Sequence, residues 1–142
     1  MHRYTCAEAS LQALLALWEL PLNDFSWATA GYSGAILSGD TTCGLLIGSS
    51  IAINLRCGQG KASIPEDHEE DRQKAIQAVG ELYTDFIKKF GSTQCKTLTQ
   101  VDFSKGEELV DYIIHKKWKQ TCDGFLNFAF RKCATMAKEG KI

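Results

Sequence analysis

No two of the six cysteines in this 142-residue chain form a Cys-x-x-Cys pair. A covalent c-type haem, which needs Cys-x-x-Cys-His, is therefore excluded. Neither Gly-Lys-Ser/Thr nor Gly-x-Gly-x-x-Gly occurs, so the phosphate-loop and dinucleotide fingerprints are missing too. Charge of one sign is not in excess: 16 Lys+Arg against 17 Asp+Glu give a formal net charge of −1. That balance argues against a broad electrostatic footprint for nucleic acid. The basic run 115–119 and the acidic run 66–71 read as solvated helix faces. Histidine is scarce: His2 is terminal, His68 lies in the acidic run and His115 in the basic one, and all three read as surface. No Ser/His/Asp or Cys/His local signature points to hydrolase chemistry. The pairs Glu69-Glu70 and Glu107-Glu108 are neighbours that diverge on a helix, so they are ordinary exposed charges.

No apolar run approaches the length of a membrane span. The first one, residues 11–17, is broken by Gln12 and flanked by Glu8 and Glu19, so no signal peptide is expected. Together with free cysteines, this points to a reducing cytoplasm. At 44% hydrophobic and 23% charged the composition is that of an ordinary globular chain, most simply one domain over residues 1–142. Such a chain buries its own core, and structural disulfides are not required.

Helical patterns dominate. Thr5-x-x-Glu8 is a capping box followed by Leu11, Leu14, Leu15 and Trp18, and Pro21 ends that helix. A shorter helix is expected over residues 25–32. Asp40, Thr41 and Thr42 offer cap oxygens to a third, running to about Arg56 and apolar nearly all round, hence central. Ser63-x-Pro65-Glu66 reads as a helix start, with Ile76, Val79, Leu82, Tyr83, Phe86, Ile87 and Phe90 as a stripe stopped by Gly91. Ser104-x-x-Glu107 is a second capping box, opening a helix with Leu109, Val110, Ile113, Ile114 and Trp118. A final helix from Cys122 carries Phe125, Leu126, Ala129, Phe130, Cys133 and Met136. The expected fold is an all-α, single-domain bundle of about six helices.

Four cysteines fall where helices should begin: Cys6, Cys43, Cys95 and Cys122. A thiol in a first helical turn faces unpaired N–H groups and the positive dipole end, and both favour the thiolate. Cys57 and Cys133 lie late in apolar helical patterns and read as small core residues. The segment from Gly31 to Gly44 is rich in glycine before a helix start. Gly34 and Gly39 let backbone approach a ligand closely there. Gly44 and Gly48, one turn apart, form a flat strip for a cofactor or for a neighbouring helix. That strip and the apolar third helix suit either a homodimer interface or a monomer core. Tyr32, Trp27, Phe90 and Trp118 flank the cysteine segments, as shields for a bound group or as core.

The order Cys6-Ala7, Cys43-Gly44-x-x-x-Gly48, Phe90-Gly91-Ser92-x-x-Cys95 and Cys122 resembles the redox-active protein family named for its C…GCAxxG…C…C signature. The resemblance runs from Tyr4 to about Ala134. Thr42 and Gly44 replace the signature's glycine and alanine around the central cysteine, and Gly48 falls one residue late. A related module occurs in split-Soret cytochromes c, whose haem segment this chain lacks. The resemblance implies a redox role for Cys6, Cys43, Cys95 and Cys122, with a redox partner protein or small electron donor left open. Convergence of all four suits an iron–sulfur cluster or a closed tetrahedral zinc site. Convergence in pairs suits thiol–disulfide exchange. The plain alternative is a helical binding module whose zinc is structural or whose cysteines are inert.

Overall fold

The computed structural model describes residues 4–61 and 65–142, so His2 and the helix start at Ser63 lie outside the described residues. Seven α-helices form among the described residues: α1 (Cys6–Leu17), α2 (Leu22–Phe25), α3 (Gly44–Cys57), α4 (Glu69–Phe90), α5 (Cys95–Thr99), α6 (Gly106–Ile114) and α7 (Cys122–Lys138). No strand accompanies them among the described residues, so the architecture is the all-α bundle the periodicity predicts. Two of the seven, α2 and α5, are single turns of 4 and 5 residues. No helix among the described residues is long and apolar enough to cross a membrane.

The Thr5 capping box forms as expected. The Thr5 hydroxyl accepts the Glu8 amide at 3.3 Å and the Glu8 carboxylate accepts the Thr5 amide at 2.7 Å, satisfying two end donors. Leu11, Leu14 and Leu15 of α1 are fully buried against α3, which is central as expected and packs on α1, α4 and α7. Leu45, Leu46, Ala52 and Ile53 of α3 are fully buried within one chain, while Ile47, Ile51 and Leu55 are half-buried. On α4 the inward series is Ala75, Ala78, Leu82 and Phe86, whereas Ile76 and Ile87 are exposed. The buried stripe is thus rotated toward the alanines, in a bundle where α4 packs on both α3 and α7. Gly91 stops α4 with φ 85°, a conformation that favours glycine. Phe86 and Phe90 meet Phe125 of α7 with ring centroids 5.8 and 4.8 Å apart. Lys132 of α7 reaches Glu81 and Asp85 of α4 at 2.6 and 2.7 Å.

Three local expectations are corrected. Residues 25–32 are not a helix: after α2 come successive turns, with Ala28, Ala30 and Tyr32 amides bonded to the carbonyls of Phe25, Trp27 and Thr29. Between Ser26 and Gly31 only Thr29 is buried and Trp27 is 83% exposed, so no apolar stripe holds a helix down. Asp40, Thr41 and Thr42 do not cap α3; its N-cap is Cys43, with no side-chain bond, and the Thr41 hydroxyl instead donates to the Ala35 carbonyl at 2.8 Å. Ser104 does not cap α6 either. Its hydroxyl donates to Asp102, and Lys105 stands at the N-cap. Only Tyr112 of α6 is buried, so Val110, Ile113 and Ile114 face outward.

Candidate functional site

Cys6, Cys95 and Cys122 are the first residues of α1, α5 and α7, and Cys43 is the N-cap of α3, so all four occupy helix starts. Two devices bring these starts together. The first is the glycine strip of α3. A side chain at 48 would collide with the Ser10 hydroxyl and the Ala7 carbonyl, and one at 44 would meet Cys6 Cβ at 3.3 Å. These glycines let α1 lie close on α3 and set Cys6 beside Cys43. The second is a short antiparallel pairing of residues 39–43 with 93–96, centred on a bridge between Thr42 and Gln94. The amides of Cys43, Cys95 and Lys96 donate to the carbonyls of Thr93, Thr41 and Gly39 at 2.6, 3.0 and 2.8 Å. Gly39, at φ 77°, has no room for a side chain there, because Lys96 N would lie 2.9 Å from its Cβ.

All four cysteines line one cavity of about 350 Å³. Among the described residues, no acidic or basic side chain lines it. Its apolar wall includes Leu37, Phe103, Leu109, Tyr112, Ile113 and Trp118. Gly34 and Gly44 also line it, whereas Gly39 and Gly48 serve the backbone contacts just described. Of the aromatics singled out by sequence, Trp118 is on the wall, Phe90 is in the core cluster, and Trp27 and Tyr32 are exposed. Cys57 ends α3 and Cys133 lies inside α7; both are buried and neither lines the cavity. His68 and His115 are also absent from its lining.

All six thiols are free, and the four in the cavity differ sharply. Cys122 is held down from about 9 to about 6, because Cys6 hydrogen-bonds to its sulfur and the Tyr112 and Thr121 hydroxyls do the same, overcoming burial. The Tyr112 hydroxyl is 2.8 Å from Cys122 Sγ. Cys6 is raised well above the ordinary range by that same bond, by burial and by the charge on Cys122. Burial pushes Cys43 to about 12 and Cys95 to about 11. Position at a helix start is thus not enough to draw a thiol down: of the four only Cys122 is lowered, and burial helps to raise the other three. The Leu45 and Leu46 amides do favour the Cys43 anion, but desolvation outweighs them.

Tyr112 and Phe103 carry no local sequence signal. A tyrosine amid aliphatic residues on a short helix is the one hint, since a buried tyrosine hydroxyl needs a partner. The turn that packs against Phe103 is strained: Gly34, Ala35, Ile36 and Leu37 have φ of 53, 42, 61 and 67° in succession. Each non-glycine residue there costs roughly 1–2 kcal/mol. The Leu37 amide bonding to Ser33 and the Thr41 hydroxyl bonding to Ala35 hold the turn. Among the described residues, no three His, Cys, Asp or Glu side chains stand in an arrangement that would hold a single metal ion.

The family model described as "Putative redox-active protein (C_GCAxxG_C_C)" matches residues 4–136. The chain belongs to this family. No curated protein and no solved structure matches it.

Proposed function

We propose that this chain is a cysteine-based redox protein whose centre is the four-cysteine cavity, with Cys6 and Cys122 as a dithiol/disulfide couple. The observation that carries the reading is that Cys6 and Cys122 line one cavity, with the Tyr112 hydroxyl 2.8 Å from Cys122 Sγ; Cys122 is drawn down to about 6 while Cys6 is raised. A thiolate beside a neutral thiol is the pairing that disulfide exchange requires. Cys122 is the attacking sulfur, and Cys6 is the one that closes the bond. Closing it gives up two electrons to the acceptor and one proton, that of Cys6, because Cys122 has already lost its own. Tyr112 positions and stabilises the thiolate without reacting. Cys43 and Cys95, neutral and buried, form the floor of the cavity.

A second reading is favoured by a different observation: four thiols, rather than two, line the cavity. The donor set, four thiols with no acidic or basic side chain among the described lining residues, fits an iron–sulfur cluster held by Cys6, Cys43, Cys95 and Cys122. Such a cluster supplies one-electron transfer when bound.

One set of variants separates the two readings. Protein prepared without oxygen is titrated with dithiothreitol and its free thiols are counted by mass-tag alkylation. The couple is expected to involve two thiols, to vanish in Cys6→Ser and Cys122→Ser, and to persist in Cys43→Ser and Cys95→Ser. Stoichiometric iron and acid-labile sulfide, lost in all four variants alike, would replace the couple with the cluster.

A further inference from the structure

The thiol pair sits in a cavity lined, among the described residues, by no acidic or basic side chain. Around its mouth, Leu37 and Ile113 are 56% and 53% exposed and Tyr4 47% exposed, so the approach is apolar as well as the interior. Phe103, Tyr112 and Trp118 supply flat faces within it. Two carboxylates flank the pair: Asp123 follows Cys122 in the first turn of α7, and Glu8 is tied to the Thr5 amide next to Cys6. An anion entering here would lose its water against apolar walls, gain no cation from the described lining residues, and meet two negative neighbours. A neutral, apolar molecule suffers none of these penalties.

We propose that the substrate of this cavity is a small uncharged disulfide, and that charged disulfides of the glutathione type are turned away. The inference rests on the reading of Cys6 and Cys122 as a couple. The Cys122 thiolate attacks one sulfur of the bound disulfide, forming a mixed disulfide and expelling one thiolate. Cys6 sulfur then attacks Cys122 sulfur, its proton passing to the departing thiol. The two steps convert one small disulfide and the reduced pair into one protein disulfide, one free thiol and one thiolate, with charge conserved.

The test compares reagents of like chemistry and unlike charge. Reduced protein is mixed with neutral dipyridyl disulfide, with the dianionic bis(carboxynitrophenyl) disulfide, and with oxidised glutathione, each rate being normalised to that of mercaptoethanol. The normalised preference for the neutral reagent over either charged one is expected to be at least roughly tenfold. Ile113→Lys, a substitution at an exposed position on the mouth, should lift the dianionic rate relative to the neutral one severalfold. Equal normalised rates for all three reagents at Cys122, or a preference unmoved by Ile113→Lys, would overturn the inference while leaving the couple intact. Undiminished reaction of Cys122→Ser with dipyridyl disulfide would instead remove the couple and the inference with it.

Discussion

Replacing Tyr112 with phenylalanine isolates one contribution to the Cys122 thiolate while keeping the ring that lines the cavity. The hydroxyl lies 2.8 Å from the sulfur, and both groups are buried. A hydrogen bond to a charged group is worth roughly 1.5–3 kcal/mol, and one pKa unit corresponds to about 1.4 kcal/mol. At the lower end, the midpoint should move up by about 1 unit from its value near 6. The thiolate fraction at pH 7 would then fall from about nine-tenths to about one half, and at pH 5.5 about eightfold. Cys6→Ala should move the midpoint further, because the Cys6 bond is the larger of the two contributions. Alkylation by iodoacetamide, followed from pH 4 to pH 10 with the other five cysteines identified by peptide mapping, reads both midpoints. A Tyr112→Phe midpoint indistinguishable from wild type, or larger than that of Cys6→Ala, would refute this account of the thiolate.

The same shifts set how stability depends on pH. Cys122, depressed from about 9 to about 6, contributes stability that is complete above pH 9 and is lost as pH falls through 6. Cys43 and Cys133 at about 12 and Cys95 at about 11 contribute fully below 9 and lose it as pH rises through those values. The urea midpoint should therefore rise from pH 6 to pH 9 and fall above it, with Cys122→Ser removing the rising limb. Gly48→Ala drives a methyl into the Ser10 hydroxyl and the Ala7 carbonyl and should cost about 3 kcal/mol in urea unfolding. Loss below about 1 kcal/mol would mean that α1 and α3 are not in close contact there. Gly39→Ala, at φ 77° and against Lys96 N, should cost about 1–2 kcal/mol. It should also speed alkylation of Cys95, whose amide bonds belong to the same pairing.

The helix starts were legible because their signals are local. Thr5 and Glu8 lie within one turn, and the apolar steps of α1 and α7 need no knowledge of the rest of the chain. The pairing of residues 39–43 with 93–96 was not legible: it joins segments some fifty residues apart, with no alternating pattern in either. Thr41, whose carbonyl joins that pairing, gives its hydroxyl to the Ala35 carbonyl rather than to the cap its sequence suggests. The rotation of α4 is not legible because Ala75 and Ala78 carry a weaker apolar signal than Ile76 and Ile87, although they are the residues that are buried. Tyr112 was hidden for a similar reason. Its partner Cys122 is ten residues away across a turn, and only their three-dimensional placement makes the hydroxyl significant.

Position at a helix start is a poor guide to ionisation, and the cavity explains why. Backbone amides and dipole ends act on Cys43 as expected, yet its thiol stays neutral because water has been removed from around it. Two unit charges 4 Å apart interact by about 4 kcal/mol at an effective dielectric constant of 20, roughly three pKa units. With no cation among the described lining residues, the charge on Cys122 adds to the burial that keeps Cys43 and Cys95 neutral. Cys122 itself is lowered because it collects hydrogen bonds from Cys6, Tyr112 and Thr121. The remaining three thiols could ionise together only if a bound group brought positive charge into the cavity. The dithiol and cluster readings thus differ in the charge state they require of Cys43 and Cys95: neutral in the first, anionic in the second. These two cysteines, rather than the reactive pair, are where the two kinds of redox centre part company.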